Sequence, residues 1–143
     1  TDTSIMKSAH DSLLGGIDRI HEIVRYARTA NLQTIGVAHC VSFNNEAAKL
    51  SVMLEAEGFK VVSVNCKYGK MPLADLVDGA KGIACNPAGQ AKYLAENETQ
   101  LNVMMGLCVG HDMIFNQKSH APVTPLVVKD RKLKHQTINM LKG

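Results

Sequence analysis

Short apolar runs alternate with longer amphipathic stretches along most of the chain. Apolar residues at helical spacing predict a first helix over residues 13–30, with acidic residues early and basic residues late, as the helix dipole prefers. The same pattern predicts further helices over 46–58, 88–98 and 111–119. The apolar runs between them predict strands over 34–39, 59–65, 101–107 and 124–129. The second of these is rich in valine, so we expect it to be buried on both faces.

Strands and helices that alternate at this spacing are typical of a parallel sheet with helices on both faces. We therefore predict an α/β fold: a small parallel sheet of about four strands in the order 2-1-3-4, within a three-layer Rossmann- or flavodoxin-like architecture. The length of 143 residues suits a single α/β domain over 1–143. In such sheets, ligands bind outside the carboxyl ends of the strands, here at the switch point between the first and third strands.

Composition and charge narrow the classes of partner. No run approaches the roughly 20 apolar residues that span a bilayer, and the start of the chain lacks the pattern of a signal peptide. We therefore expect a cytoplasmic protein without membrane contact. Aromatic residues make up only 4% and Trp is absent, so bases would find few stacking partners and nucleic-acid binding is not expected. The end of the chain is basic, which we interpret as a solvated surface: Lys129, Arg131, Lys132, Lys134, His135 and Lys142.

The four cysteines fall at related places in the predicted fold. Cys40, Cys66 and Cys108 directly follow the first, second and third strands, and Cys85 stands just before Asn86, the predicted N-cap of a helix. Cysteines that merely fill a core would scatter through strand middles and helix faces. This placement favours a shared site at the carboxyl-end edge of the sheet over four unrelated buried thiols.

Four cysteines at one edge point first to a metal centre. Four thiolates are a common ligand set for structural zinc and for iron–sulfur clusters, so we expect zinc or an iron–sulfur cluster on Cys40, Cys66, Cys85 and Cys108. Predicted helix starts follow three of these cysteines and would stabilise their thiolates. The chain contains no CxxC pair, so such a site would be assembled by tertiary structure alone.

Two other functions fit the same residues. In a thiol enzyme that handles sulfur or a small electrophile, Cys108 or Cys40 would be the nucleophile and His111 an acid or base beside it. In a ligand-binding module, the cysteines would simply stay reduced. Asn86, Gly110 and Asp112 are candidate contacts for a bound cofactor at this edge. The segment GLCVGHD has neither GxGxxG nor a Walker lysine, so a nucleotide site is not indicated.

The chain resembles a family of uncharacterised bacterial and archaeal proteins to which metal binding is attributed. The resemblance rests on IGVAHC, VVSVNCK, CNPAGQA, GLCVGHDMIF and APVTPLVVKDR, and covers about residues 17–131. It implies that all four cysteines occupy motif positions, together with Asn86, Pro87, His111 and Asp112. Two departures stand out: His39 replaces an aromatic residue, and a cysteine-rich stretch that often precedes the first helix in this family does not occur here. A metal function that depends on that stretch would not extend to this chain.

Overall fold

The structure, a computed structural model, describes residues 2–12 and 16–142. Its helices are α1 (Asp2–Ser12), α2 (Arg19–Thr29), α3 (Asn44–Ala56), α4 (Pro87–Glu96) and α5 (Val109–Lys118). Its strands are β1 (Thr34–His39), β2 (Lys60–Asn65), β3 (Leu101–Met105) and β4 (Val123–Val127). Every pairing within this four-stranded sheet is parallel and the order is β2-β1-β3-β4, which confirms the predicted α/β fold and strand order.

The two central strands separate two apolar layers. Side chains of a strand point alternately to opposite faces, so Ile35 and Val37 of β1 pack with α2 and α3 on one face. Ala38 and Met104 pack with α4 and α5 on the other. Every residue of β3 is buried, as expected for a strand covered on both sides. The fold therefore has three layers, with the sheet in the middle.

The edge strand β2 differs from its prediction. Val62 and Val64 are buried in the layer that contains α4, but Val61 is only partly buried and Ser63 is exposed on the other face. The expectation that this strand is buried on both faces is wrong, because an edge strand has a neighbour on one side only and its outer margin is incompletely covered.

The start of the chain also departs from the prediction. Helix α1 was not predicted, and the helix expected over 13–30 begins only at Arg19; residues 13–15 lie outside the described residues. Gly16 has a φ of +57°, a conformation that interrupts a helix. Asp18 then caps α2, since its side chain accepts a hydrogen bond of 3.0 Å from the His21 backbone N–H.

A glycine turn directs the chain from β3 toward Cys108. Strand β3 ends at Met105 rather than at residue 107, because Gly106 has a φ of +70°. A Cβ atom at Gly106 would lie only 2.1 Å from Cε2 of Phe43. The close approach and the left-handed backbone both require glycine here. Cys108 then becomes the N-cap residue of α5.

Gly106→Ala is expected to destabilise the fold by about 2–4 kcal/mol, from backbone strain together with overpacking against Phe43. Gly110→Ala is the matched control, since a Cβ there would meet open space within α5; it should stabilise by about 0.5–1 kcal/mol. Urea unfolding of both variants measures the difference. Equal stability of the two variants would contradict the assigned turn.

Candidate thiol site

The register of the sheet brings strand ends together. His39 at the end of β1 pairs with Asn65 of β2 on one side and with Met105 of β3 on the other. Cys40 and Cys66 are therefore the next residues after a pair of neighbours in adjacent strands. All four cysteines and His111 line one cavity of about 130 Å³ at this edge. Its other lining residues are Val41, Ser42, Lys67, Leu107, Lys129 and Arg131.

The four cysteines are free thiols that differ in exposure. Cys40 and Cys66 are buried, whereas Cys85 and Cys108 are partly exposed at the cavity wall. The structure thus places the predicted cysteines together at the predicted edge. A shared cavity permits chemistry between them and a bound molecule, but whether they hold a metal or attack a substrate depends on their charge state.

Cys40 has the closest cation. The Nζ atom of Lys129 lies 2.8 Å from Cys40 Sγ, within charge-assisted hydrogen-bonding distance. The backbone N–H of Ser42 donates to the same sulfur over 3.5 Å. Burial by itself raises the pKa of Cys40, but the hydrogen bonds from Lys129 and Ser42 outweigh burial and lower the pKa to about 7. A substantial fraction of Cys40 is therefore thiolate at neutral pH.

Cys66 is shifted in the opposite direction. Its burial, together with its hydrogen bond to Cys85 and the negative charges of Cys40 and Cys85, raises its pKa to about 11, against a smaller opposing effect of the Val41 backbone. Cys66 therefore remains a neutral thiol beside the Cys40 thiolate. The different surroundings of the two cysteines thus give them different protonation states at neutral pH: Cys40 is partly thiolate, whereas Cys66 carries its proton.

Basic side chains surround the other sulfurs as well. Lys129 Nζ lies 3.7 Å and an Arg131 guanidinium nitrogen 3.8 Å from Cys108 Sγ. Lys67 Nζ lies 3.5 Å from Cys85 Sγ. The prediction that the basic end of the chain is only a solvated surface is therefore wrong for Lys129 and Arg131.

The position of Lys67 at this edge follows from the sequence, because Lys67 directly follows Cys66 in the chain. Sequence reasoning missed Lys129 and Arg131, although a signal was present for Lys129. Lys129 comes two residues after the end of β4, a parallel strand whose carboxyl end lies at the same edge as the cysteines. The rule that parallel strands end at one edge, which placed three of the cysteines, also places Lys129 there.

Two buried side chains fix the backbone behind the cavity. His39 Nδ1 lies 2.9 Å from the Cys40 carbonyl oxygen, and its burial lowers its pKa, so it is a neutral donor rather than a ligand. Gln90 Nε2 donates to the carbonyl oxygens of His39 and Val64 over 3.2 and 3.0 Å. Gln90 thereby ties the ends of β1 and β2 to α4 and stabilises the positions from which Cys40 and Cys66 project.

The three predicted cofactor contacts lie outside the cavity lining. Asn86 caps α4: its Oδ1 accepts from the Gly89 N–H at 2.9 Å and its Nδ2 donates to the Tyr68 carbonyl at 3.3 Å. Gly110 and Asp112 lie in the first turn of α5, where the Asp112 N–H donates to the Cys108 carbonyl at 2.8 Å. Their role toward a cofactor stays a prediction.

The cysteines as arranged do not form a ready metal cage. Over residues 2–12 and 16–142, no three side chains of His, Cys, Asp or Glu are placed so that they could hold one metal ion. The Lys129 ammonium lies within hydrogen-bonding reach of both Cys40 and Cys108, and Cys66 keeps its proton. A metal on all four sulfurs would require deprotonation of Cys66 and closer approach of the sulfurs.

A larger cavity lies elsewhere in the structure. It has a volume of about 470 Å³ and lies between α1, α2 and the starts of β3 and β4, with no cysteine in its wall. Arg19 in that wall is already bound to the Pro125 carbonyl at 2.7 Å and to Thr124 Oγ1 at 2.9 Å. The smaller cavity holds the reactive groups, so chemistry rather than size identifies the candidate site.

None of the helices in the described ranges is long and apolar enough to cross a membrane.

Comparison with known proteins identifies a family and a relative, but neither has a stated activity. The chain is 40% identical over 124 residues to "Uncharacterized protein MJ0455" of Methanocaldococcus jannaschii, an alignment that covers 83% of this chain and 64% of that protein. The chain thus spans less than two thirds of the length of that relative. No solved structure matches the chain significantly. The model of the family described as "Protein of unknown function (DUF1847)" matches residues 4–126, a span that includes all four cysteines, and the chain belongs to that family.

Proposed function

We propose that this protein is a thiol-based enzyme in which the Cys40 thiolate attacks a small electrophile bound in the cysteine-lined cavity. The observation that carries the proposal is the contact of 2.8 Å between Lys129 Nζ and Cys40 Sγ in a cavity that a small molecule can enter. A thiolate, not a thiol, is the nucleophilic form of cysteine, and an adjacent lysine is a recognised way to stabilise it.

The reaction uses groups on the cavity wall. The Cys40 sulfur gives its electron pair to the electrophilic atom of the substrate, and the leaving group departs with the pair of the broken bond. His111, which lines the same cavity at the start of α5, donates a proton to the leaving group. Cys66 is a neutral thiol in the same cavity, so its S–H serves as a hydrogen-bond donor to the departing group rather than as a second nucleophile.

Of the two nucleophiles considered from sequence, Cys40 is the better supported. Lys129 lies 2.8 Å from Cys40 but 3.7 Å from Cys108. Ser42 N–H also donates to Cys40, whereas the Cys108 side chain caps no N–H of α5. A site that depends on a thiolate operates in a reducing compartment, which supports the cytoplasmic location expected from the sequence.

The first test is the pH dependence of Cys40 alkylation by iodoacetamide. Its rate should rise with pH around a midpoint near 7, because the thiolate fraction rises through the lowered pKa. Each cysteine lies in a different tryptic peptide, so quenched reactions analysed by mass spectrometry give a rate for each. A Cys40 midpoint above the ordinary cysteine value of about 8.5 would contradict the proposal.

Lys129→Gln should move that midpoint upward, because the hydrogen bond and positive charge that favour the thiolate are lost while burial remains. Lys132→Gln is the matched control, since it removes the same charge from an exposed position outside the cavity wall. The control should leave the midpoint unchanged. Circular dichroism of both variants verifies that the fold is retained.

A second function, binding of a soft metal centre, is favoured by one observation: all four cysteines line a single cavity. The nearby cations would offset the negative charge of four thiolates on zinc or on an iron–sulfur cluster. Cys40, Cys66, Cys85 and Cys108 would be its ligands.

Elemental analysis of four Cys→Ser variants, purified without oxygen, separates the two functions. A shared metal centre predicts stoichiometric metal in the wild type, parallel loss in every variant, and a lower melting temperature in each, because metal-binding energy is folding energy. The thiol enzyme predicts no stoichiometric metal and unequal effects. There, Cys40→Ser abolishes reactivity, whereas the other substitutions cost about 1 kcal/mol of stability. Stoichiometric metal that two of the variants retain would refute the four-ligand centre.

A further inference from the structure

The cations of the cavity indicate what the substrate carries. Building on the proposed thiol chemistry, we propose that the electrophile that Cys40 attacks is a small anion, held between Lys67, Lys129 and Arg131. All three side chains line the cavity, and no Asp or Glu of the described ranges does so. One thiolate at Cys40 offsets only one of their charges, so the cavity keeps an excess of positive charge.

Among the residues that the structure describes, no ion pair neutralises this excess. The salt bridges in the described part of the chain join Asp18 to His21, Arg28 to Glu57 and Lys92 to Glu96. None of them involves a cation of the cavity. Cations that converge on one cleft raise the local concentration of anions and favour their binding. The arrangement therefore fits an anionic ligand better than a neutral or cationic one.

The carboxylate that stands between two of these cations in the chain makes hydrogen bonds outside the cavity. Asp130 stands between Lys129 and Arg131 in the chain, but its carboxylate accepts hydrogen bonds from Thr137 Oγ1 at 2.7 Å and from the Leu133 N–H at 3.0 Å. These bonds close the turn that follows β4. Asp130 thus orders the segment that contains Lys129 and Arg131, and these hydrogen bonds do not neutralise either cation.

The third cation is held in place by neutral groups. Lys67 Nζ donates to the Ile83 carbonyl oxygen at 2.6 Å, and the Lys67 N–H donates to Asn65 Oδ1 at 2.8 Å. A carbonyl and an amide fix a lysine without cancelling its charge. The charge is therefore positioned at the cavity in advance, which lowers the cost of ordering when an anion binds.

The size of the cavity limits the ligand. Its 130 Å³ is well below the roughly 300–1,000 Å³ of pockets for drug-sized ligands. The substrate class is therefore an anion of a few non-hydrogen atoms with an electrophilic centre next to its charge.

The probes that test this are iodoacetate and iodoacetamide, which alkylate a thiolate by the same displacement of iodide but differ in charge. The ratio of their rates at Cys40 cancels the thiolate fraction, which is common to both. The reference is the same ratio for the Cys40 peptide of the chain unfolded in urea. We expect the folded protein to exceed this reference by about 10-fold or more, as electrostatic focusing allows.

The double variant Lys67→Gln/Arg131→Gln removes two cations without removing the Lys129 contact to Cys40. Its ratio should fall severalfold, toward the unfolded reference. Lys81→Gln/Lys132→Gln is the control, since it removes the same charge from exposed positions outside the cavity; it should keep the wild-type ratio. The rate with iodoacetamide alone reports whether Cys40 is a nucleophile at all.

The outcomes are distinguishable. Slow reaction of folded Cys40 with both reagents overturns the proposed function. Fast reaction with iodoacetamide, but a ratio equal to the unfolded reference, overturns the anionic substrate alone. A high ratio that persists in the cavity variant and falls in the control variant overturns the assignment of Lys67 and Arg131.

Discussion

The parallel register of β1 with its two neighbours is the constraint on which the candidate site depends. Because His39 is opposite both Asn65 and Met105, the three strands end at the same level, and the chain leaves each strand at the same edge of the sheet. Cys40 and Cys66 leave adjacent strands side by side, and Cys108 follows after the Gly106 turn. A slip of one residue in any pairing would turn each side chain of the slipped strand to the opposite face of the sheet and separate the sulfurs. The layers of helices on both faces make such a slip costly, so the fold holds the thiols in place.

The parts of the structure that local patterns determine could be predicted from the sequence. Strand order and the gathering of the cysteines follow from apolar runs, helix signals and the rule that parallel strands end at one edge. Helix α1 was missed because it contacts chiefly α2 and buries only Ser8 and Ser12, so its sequence carries no apolar stripe. The positions of Lys129 and Arg131 depend on how the chain turns after β4, which Asp130 decides through hydrogen bonds to residues three and seven positions later. Such contacts have no periodic signature.

The pKa values of Cys40 and Cys66 differ because the two thiols have different surroundings. Cys40 and Cys66 are both buried, and burial raises the pKa of each. Only Cys40 has an ammonium within 3 Å, and once it is ionised its charge further disfavours ionisation of Cys66. The low pKa of one thiol therefore contributes to the high pKa of the other. A site that needs a nucleophile and a nearby proton-bearing thiol obtains the first from the position of Lys129 and the second chiefly from the burial of Cys66.

The two candidate functions differ in the protonation state that they require of Cys66, not in their use of the surrounding cations. Cations beside the sulfurs would stabilise an anionic substrate and would equally stabilise the negative charge of four thiolates around a metal. What differs is Cys66: a thiol enzyme uses it protonated, whereas a four-thiolate centre must first remove a proton that burial and the neighbouring Cys40 thiolate retain. Binding of a metal would displace that proton and would also require Lys129 to move, since its Nζ atom now contacts the sulfurs of Cys40 and Cys108. Thiolate chemistry at Cys40 would use these residues in their present arrangement, and this difference in reorganisation is the reason that the thiol enzyme is proposed ahead of the metal centre.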